Sequence, residues 1–131
     1  MITEERKIVC WERKKETNDI GAKVSIPKFY LKALKLDKDN CSIVYKIIDN
    51  SIVLKKYNCD DYIKYIQEDY KEAKVSFVPS YKYDTAYFLI QKSLDKVLSL
   101  DRKGYLKSKD KNYKVKIILE DDYNTIKIER A

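Results

Sequence analysis

The chain has 131 residues, 44% hydrophobic and 37% charged, with 28 Lys and Arg against 21 Asp and Glu and a formal net charge of +7. That is enough for one ordinary domain or two small ones, and too apolar for general disorder. No apolar run approaches the roughly eighteen residues of a membrane span, and the charged start Met1 to Lys7 has no signal-peptide core, so a cytoplasmic protein without membrane contact is expected.

Ile8-Val9-Cys10-Trp11 opens an extended segment that runs into Glu12-Arg13-Lys14-Lys15. Thr17-Asn18-Asp19-Ile20-Gly21 carries the residues that chain reversals favour. Lys23-Val24-Ser25-Ile26 alternates like a half-buried strand, and Pro27 ends it as the first residue of a helix, where a missing N–H costs nothing. On that helix Lys28, Lys32 and Lys35 share one face, and Leu31 and Leu34 lie opposite, with Leu36 just beyond. Residues 37–40 form its exit loop. Residues 41–48 and 51–57 then read as a hairpin around Asp49-Asn50.

In the second half, Asp60 or Asp61 caps a helix reaching about Lys71, with Tyr62, Ile66 and Tyr70 four apart. Residues 75–78 are a short strand stopped by Pro79. Asp84 caps a longer predicted helix to Leu100, with Ala86, Tyr87, Leu89, Ile90, Leu94, Val97 and Leu98 as its apolar set. Gly104 and residues 107–112 form a loop, and residues 113–119 and 125–129 a closing hairpin. Ala22-Lys23-Val24-Ser25 recurs as Ala73-Lys74-Val75-Ser76, each copy followed by a proline, which raises a diverged duplication as one origin of the chain.

The charge is uneven. Residues 1–58 hold 13 basic and 8 acidic side chains, residues 59–131 hold 15 and 13, so most of the positive excess lies in front. Lysines gathered on one surface gain affinity for nucleic acid by releasing its condensed counterions. Two basic clusters flank the turn: Arg13, Lys14 and Lys15 before it, and Lys23, Lys28 and Lys32 after it. Arg13 is the candidate for reading sequence, because a guanidinium grips a guanine edge with two bonds. Lysine outnumbers arginine 24 to 4, a bias that reads as the codon usage of an AT-rich bacterial or phage genome.

Enzyme chemistry is poorly supplied. The chain has no histidine and only two glycines, so the commonest general base is missing and no phosphate-cradling glycine loop can be written. Its three cysteines are widely spaced and fit small apolar residues better than zinc ligands or a disulfide framework. The acidic groups Asp60-Asp61 and Glu120-Asp121-Asp122 read as a helix cap and a hairpin loop in preference to a magnesium site. The twelve tyrosines read as half-buried residues of strands and helices, too scattered for a stacking code. No catalytic residue, metal or cofactor is expected.

The order turn, strand, proline-started basic helix and hairpin over residues 21–56 resembles the swapped-hairpin DNA-binding domain of the AbrB, SpoVT and MazE family. The likeness spans roughly residues 8–57. Ala22 displaces the basic residue that commonly follows the turn glycine, and Asp39-Asn40 stands where Gly-Asp is usual. The resemblance implies that two chains exchange hairpins into one barrel-like core built from Val24, Ile26, Leu31, Leu34, Leu36, Ile43, Tyr45, Ile52 and Leu54. It also implies that Arg13, Lys14, Lys15, Lys23, Lys28 and Lys32 face DNA.

The expected fold is therefore α+β: an N-terminal AbrB-like swapped-hairpin β-barrel dimer with a short helix over residues 1–58, followed by a small α+β domain over 59–131 ending in a β-hairpin. The expected function is a transcriptional regulator binding double-stranded DNA as a homodimer, with pairing into tetramers left open. Residues 59–131 would serve a ligand, oligomerisation or a protein partner. The rival expectation is a protein-binding module, either a toxin-neutralising antitoxin or a phage-encoded inhibitor of a host complex.

Overall fold

A computed structural model describes residues 1–14, 19–79, 85–108 and 113–131, with Lys14 described by its backbone alone. Its elements in chain order are β1 (Ile2–Lys7), β2 (Val9–Lys14), β3 (Asp19–Ser25), α1 (Lys28–Ala33), β4 (Ser42–Ile48), β5 (Ser51–Lys56) and α2 (Tyr62–Gln67). Then come β6 (Lys71–Val78), β7 (Thr85–Leu89), α3 (Asp95–Leu98), α4 (Arg102–Lys107), β8 (Lys114–Leu119) and β9 (Thr125–Arg130). The strands form one nine-stranded sheet in the order β1-β8-β9-β5-β4-β6-β7-β3-β2. Every described pairing is antiparallel. The two ends of that order, β1 and β2, are consecutive in the chain with only Ile8 between them, so the sheet curls back on itself into a nearly closed barrel. Buried Ile8 marks the bend, and its N–H donates to the Tyr113 carbonyl at 2.8 Å.

The swapped-hairpin expectation is overturned here. Strand β5 pairs with β9, placing Ile52 opposite Ile128 and Leu54 opposite Ile126, while β3 pairs with β7. The nine residues expected to make a shared dimer core are all buried in one core together with Val115, Ile117, Leu119, Ile126 and Ile128 of the same chain. The back half of the chain supplies the cover that a second copy was expected to bring. The architecture is a single-chain antiparallel barrel with short helices, in place of a swapped-hairpin dimer followed by an α+β domain.

Local chemistry explains the hits and the misses. Asp49 and Asn50 both take positive φ, 50° and 64°, the geometry of a type I′ turn, and β4 and β5 pair directly around them. Pro27 sits one place earlier than expected, as the cap before α1, with φ −56° and ψ 138°. The segment 85–89 is a strand and not the start of a long helix. Ala86 and Phe88 point into the core while Thr85, Tyr87 and Leu89 alternate outward, but residues 86–90 are all apolar, and so short an apolar run does not separate strand from helix by its pattern. The helical residues that follow are split into a 3-10 turn, Lys92–Leu94, and α3, which ends at Ser99 with φ 51°. The helix expected to reach Lys71 stops at Gln67, because Asp69 turns left-handed (φ 62°) and β6 begins at Lys71. Gly104 lies within α4, where Asp101 caps its N–H at 3.0 Å. Asp84 and residues 109–112 of the expected loop lie outside the described residues.

The repeated Ala-Lys-Val-Ser falls on β3 and β6, the two strands that flank β7. Val24 and Val75 both sit opposite Phe88, and Ser25 and Ser76 both sit opposite Tyr87. The same four residues therefore answer the same two neighbours from either side. The elements that follow differ, since Pro27 leads into α1 whereas the next described element after Pro79 is strand β7.

Two polar devices tie the helices to the barrel. The Tyr30 hydroxyl on α1 lies 2.9 Å from the Ile2 carbonyl and 3.0 Å from that of Ile117. Burial, with the nearby Glu4 carboxylate adding to it against a smaller opposing effect of Arg6, raises its pKa above the ordinary 10.0. Arg102 on α4, 8% exposed, donates to the carbonyls of Ile20 and Ile90 at 2.7 Å each and forks onto the Asp95 carboxylate at 2.8 and 2.9 Å. That guanidinium links β3, the end of β7, α3 and α4.

Candidate nucleic-acid interface

Alternation along β2, β3 and β7 sends Cys10, Ala22, Val24, Ala86 and Phe88 into the core, so Trp11, Gly21, Lys23, Ser25 and Tyr87 share the outer face. Trp11 lies directly opposite Gly21, and Lys23 is diagonal to both Trp11 and Tyr87. The Lys23 ammonium sits 4.2 Å from the Tyr87 ring centroid and 5.4 Å from that of Trp11. Arg13 crosses the same indole at 5.5 Å. It lies two residues along β2 from Trp11, the spacing that shares a strand face, beside a register shift between Glu12 and Lys14.

Gly21 makes the arrangement feasible. A Cβ there would stand 2.5 Å from Cζ2 of Trp11, 2.6 Å from Cε2 and 2.9 Å from Nε of Arg13. The residue was expected to serve a turn. It lies mid-strand with ordinary backbone angles, and its use is the close approach of an indole and a guanidinium. Tyr87 is flanked by a small residue on either side, Ser25 on β3 and Ser76 on β6, and its ring is half-buried.

Among the described residues, neither Arg13 nor Lys23 has a carboxylate within ion-pair distance. Their charges rest on π-faces instead, an interaction worth about 0.5–1 kcal/mol at exposed sites. Two other cations are tied to carbonyls, and Lys55 lies 5.8 Å from the Tyr70 ring. Lys56 donates to the Lys35 carbonyl at 3.2 Å, and Lys46, although also 4.8 Å from the Tyr70 ring, donates to that of Glu68 at 2.9 Å.

Of the six residues expected to face DNA, the fold brings Arg13 and Lys23 together on Trp11. Lys28 and Lys32 are exposed on α1, past the end of β3. Lys14 is a backbone position opposite Asp19, and Lys15 lies outside the described residues. Sequence reading missed Trp11 and Tyr87. No local pattern marked Tyr87, since residues 86–90 are apolar without alternation; for Trp11 the signal was the placement of the one tryptophan two residues before an arginine.

Two further polar clusters lie elsewhere on the barrel. Asp122 accepts from the Asn124 N–H at 2.9 Å and from the Thr125 hydroxyl at 3.0 Å, and the first of these chiefly holds its carboxyl below the ordinary 3.8. A cleft of about 470 Å³ beside the β4–β5 turn sets Lys96 and Arg130 among Asp49 and Glu129, with Ser51 already bonded to Glu129 at 2.8 Å. No three metal-ligating side chains converge among the described residues.

A half-buried sheet face carrying two aromatic rings, two cations and small neighbours has the chemistry to meet a polyanion with flat bases. No protein-family model, curated protein or solved structure matches the chain.

Proposed function

We propose that this protein binds nucleic acid through the outer face of β2, β3 and β7. The observation that carries the reading is the placement of Arg13 and Lys23 on the rings of Trp11 and Tyr87, with no described acid to neutralise them. A phosphate near Lys23 competes with the π-faces for the ammonium, and the overall +7 charge favours approach of a polyanion. The swapped-hairpin dimer drops out of the proposal, since the barrel closes within one chain.

Fluorescence anisotropy of labelled oligonucleotides across a range of salt tests this. The logarithm of the affinity should fall linearly with log salt, and the double variant Arg13→Ala/Lys23→Ala should flatten that slope. No affinity at low salt, or affinity without a slope, argues against the reading.

A second reading, a module that docks on a basic protein, draws on α2. This six-residue helix buries Tyr65 and leaves Tyr62, Ile63 and Ile66 exposed by 47%, 69% and 55%. Asp60, Asp61, Glu68 and Asp69 flank them, with Lys64 as the one cation in the segment. Like charges disfavour pairing of this face with a second copy, and favour an apolar groove ringed by Lys and Arg. The test is a partner that co-purifies, is identified and titrated as a pure pair, and loses affinity to Ile63→Asp/Ile66→Asp.

A further inference from the structure

We infer that the Trp11–Tyr87 face selects single-stranded over duplex nucleic acid, an inference that rests on the nucleic-acid reading above and names its ligand class. Both ring centroids lie within 5.4 Å of one ammonium, so the rings are at most about 10 Å apart, a reach of no more than about three nucleotides at ~3.4 Å each. In a single strand, a phosphate separates successive bases. Here the two rings share one ammonium, and a guanidinium also lies against the indole. Charge and stacking surface are thus interleaved on the protein, as they are along an unpaired strand.

A duplex cannot use the same surface. Its base faces are stacked inside, and only phosphates and groove edges are offered to a protein. The rings here lie on a sheet face, and the indole is laid flat enough over β3 that Gly21 has no room for a methyl group. Stacking platforms of this kind, aromatic side chains within a basic surface, are sequence-tolerant because every base has a π-face. Gly21 acts as a positioning residue: it touches no ligand and sets the height of Trp11 and Arg13.

Trp11 is the only tryptophan in the chain, so its emission reports base stacking without a label. The experiment titrates the full chain with a mixed-sequence single strand of about a dozen nucleotides, and separately with the same strand annealed to its complement. The expected result is single-strand affinity at least about tenfold tighter, accompanied by quenching of the indole emission. Trp11→Ala and Tyr87→Ala, followed by anisotropy of a labelled strand, should each weaken single-strand binding by roughly 5- to 150-fold and change duplex binding less than about twofold. Gly21→Ala, shown by denaturant unfolding to be folded, should lower single-strand affinity while keeping every charge and ring. Duplex binding as tight as single-strand binding, binding without quenching, or unchanged affinity in folded Gly21→Ala overturns the inference and leaves the charge-based reading standing. Binding to neither probe at low salt removes both.

Discussion

Two arginines in this barrel are held in opposite ways. Arg102 is buried and spends its donors on two backbone carbonyls and the Asp95 carboxylate. Arg13 lies on the surface of an indole, and no described carboxylate answers it. Burying a guanidinium is tolerable only when its N–H groups and charge are matched, and a residue so matched has nothing left for a ligand. The π-face holds Arg13 weakly and releases it cheaply. The difference separates cations that build the fold from cations available to a partner, and net charge alone does not reveal it.

Removing the matched cation should have the largest effect. Arg102→Met leaves the Asp95 charge and the Ile20 and Ile90 carbonyls without their donor, and should cost about 3–5 kcal/mol in urea unfolding. Arg102→Lys should recover only part, since an ammonium cannot reproduce the planar fork. Arg13→Ala should shift stability by less than about 0.5 kcal/mol. Its effect belongs to binding: together with Lys23→Ala it should weaken nucleic-acid affinity by about tenfold at moderate salt and flatten the salt slope. If the two arginines exchanged these signatures, the division between structural and available cations would fail.

The sequence made part of this legible. Short-range chemistry was readable: the Asp49-Asn50 turn, the proline before α1 and the closing hairpin all follow from backbone preferences of a few residues. The front-half apolar residues were correctly seen as a core. Their cover was not, because pairing β5 with β9 and β3 with β7 joins residues far apart in the chain, which no local pattern encodes. That same gap led the AbrB resemblance to supply a second chain where the back half does the work. The site was half visible. Arg13 and Lys23 stood out as charges, but their meeting on Trp11 depends on the pairing register of β2 with β3, and Tyr87 was hidden inside an expected helix.

A smaller effect should appear at Tyr30, the hydroxyl counterpart of the Arg102 clamp. Tyr30→Phe removes the donor to the Ile2 and Ile117 carbonyls and should cost about 1 kcal/mol near neutral pH. Its pH dependence has a definite sign. Below about pH 10 the phenol is neutral in both the folded and the unfolded chain, so its contribution is complete. Above that value the unfolded chain ionises first, because burial holds the folded phenol higher, and Tyr45 is raised for the same reason. Stability should therefore drain away as pH climbs from 10 toward the raised folded value, and Tyr30→Phe should show a shallower alkaline decline. An identical decline in the variant would mean that Tyr30 does not contribute to it.

The smallest expected effect is the sharpest check on where the interface lies. Lys28 and Lys32 were expected to face DNA by analogy with the AbrB helix, and both are exposed. In this barrel α1 turns Tyr30, Leu31 and Leu34 into the core, and neither lysine is among the cations resting on Trp11 or Tyr87. Their contribution is then only general charge, which salt screens over about 8–10 Å. Lys28→Ala/Lys32→Ala should lower affinity by less than about twofold at 0.15 M salt, against about tenfold for the Arg13 and Lys23 pair. Equal losses from the two pairs would extend the binding surface onto α1. The aromatic face would then be one part of a broader basic track, and the contrast between ring-held and ordinary surface cations would no longer decide which residues meet the ligand.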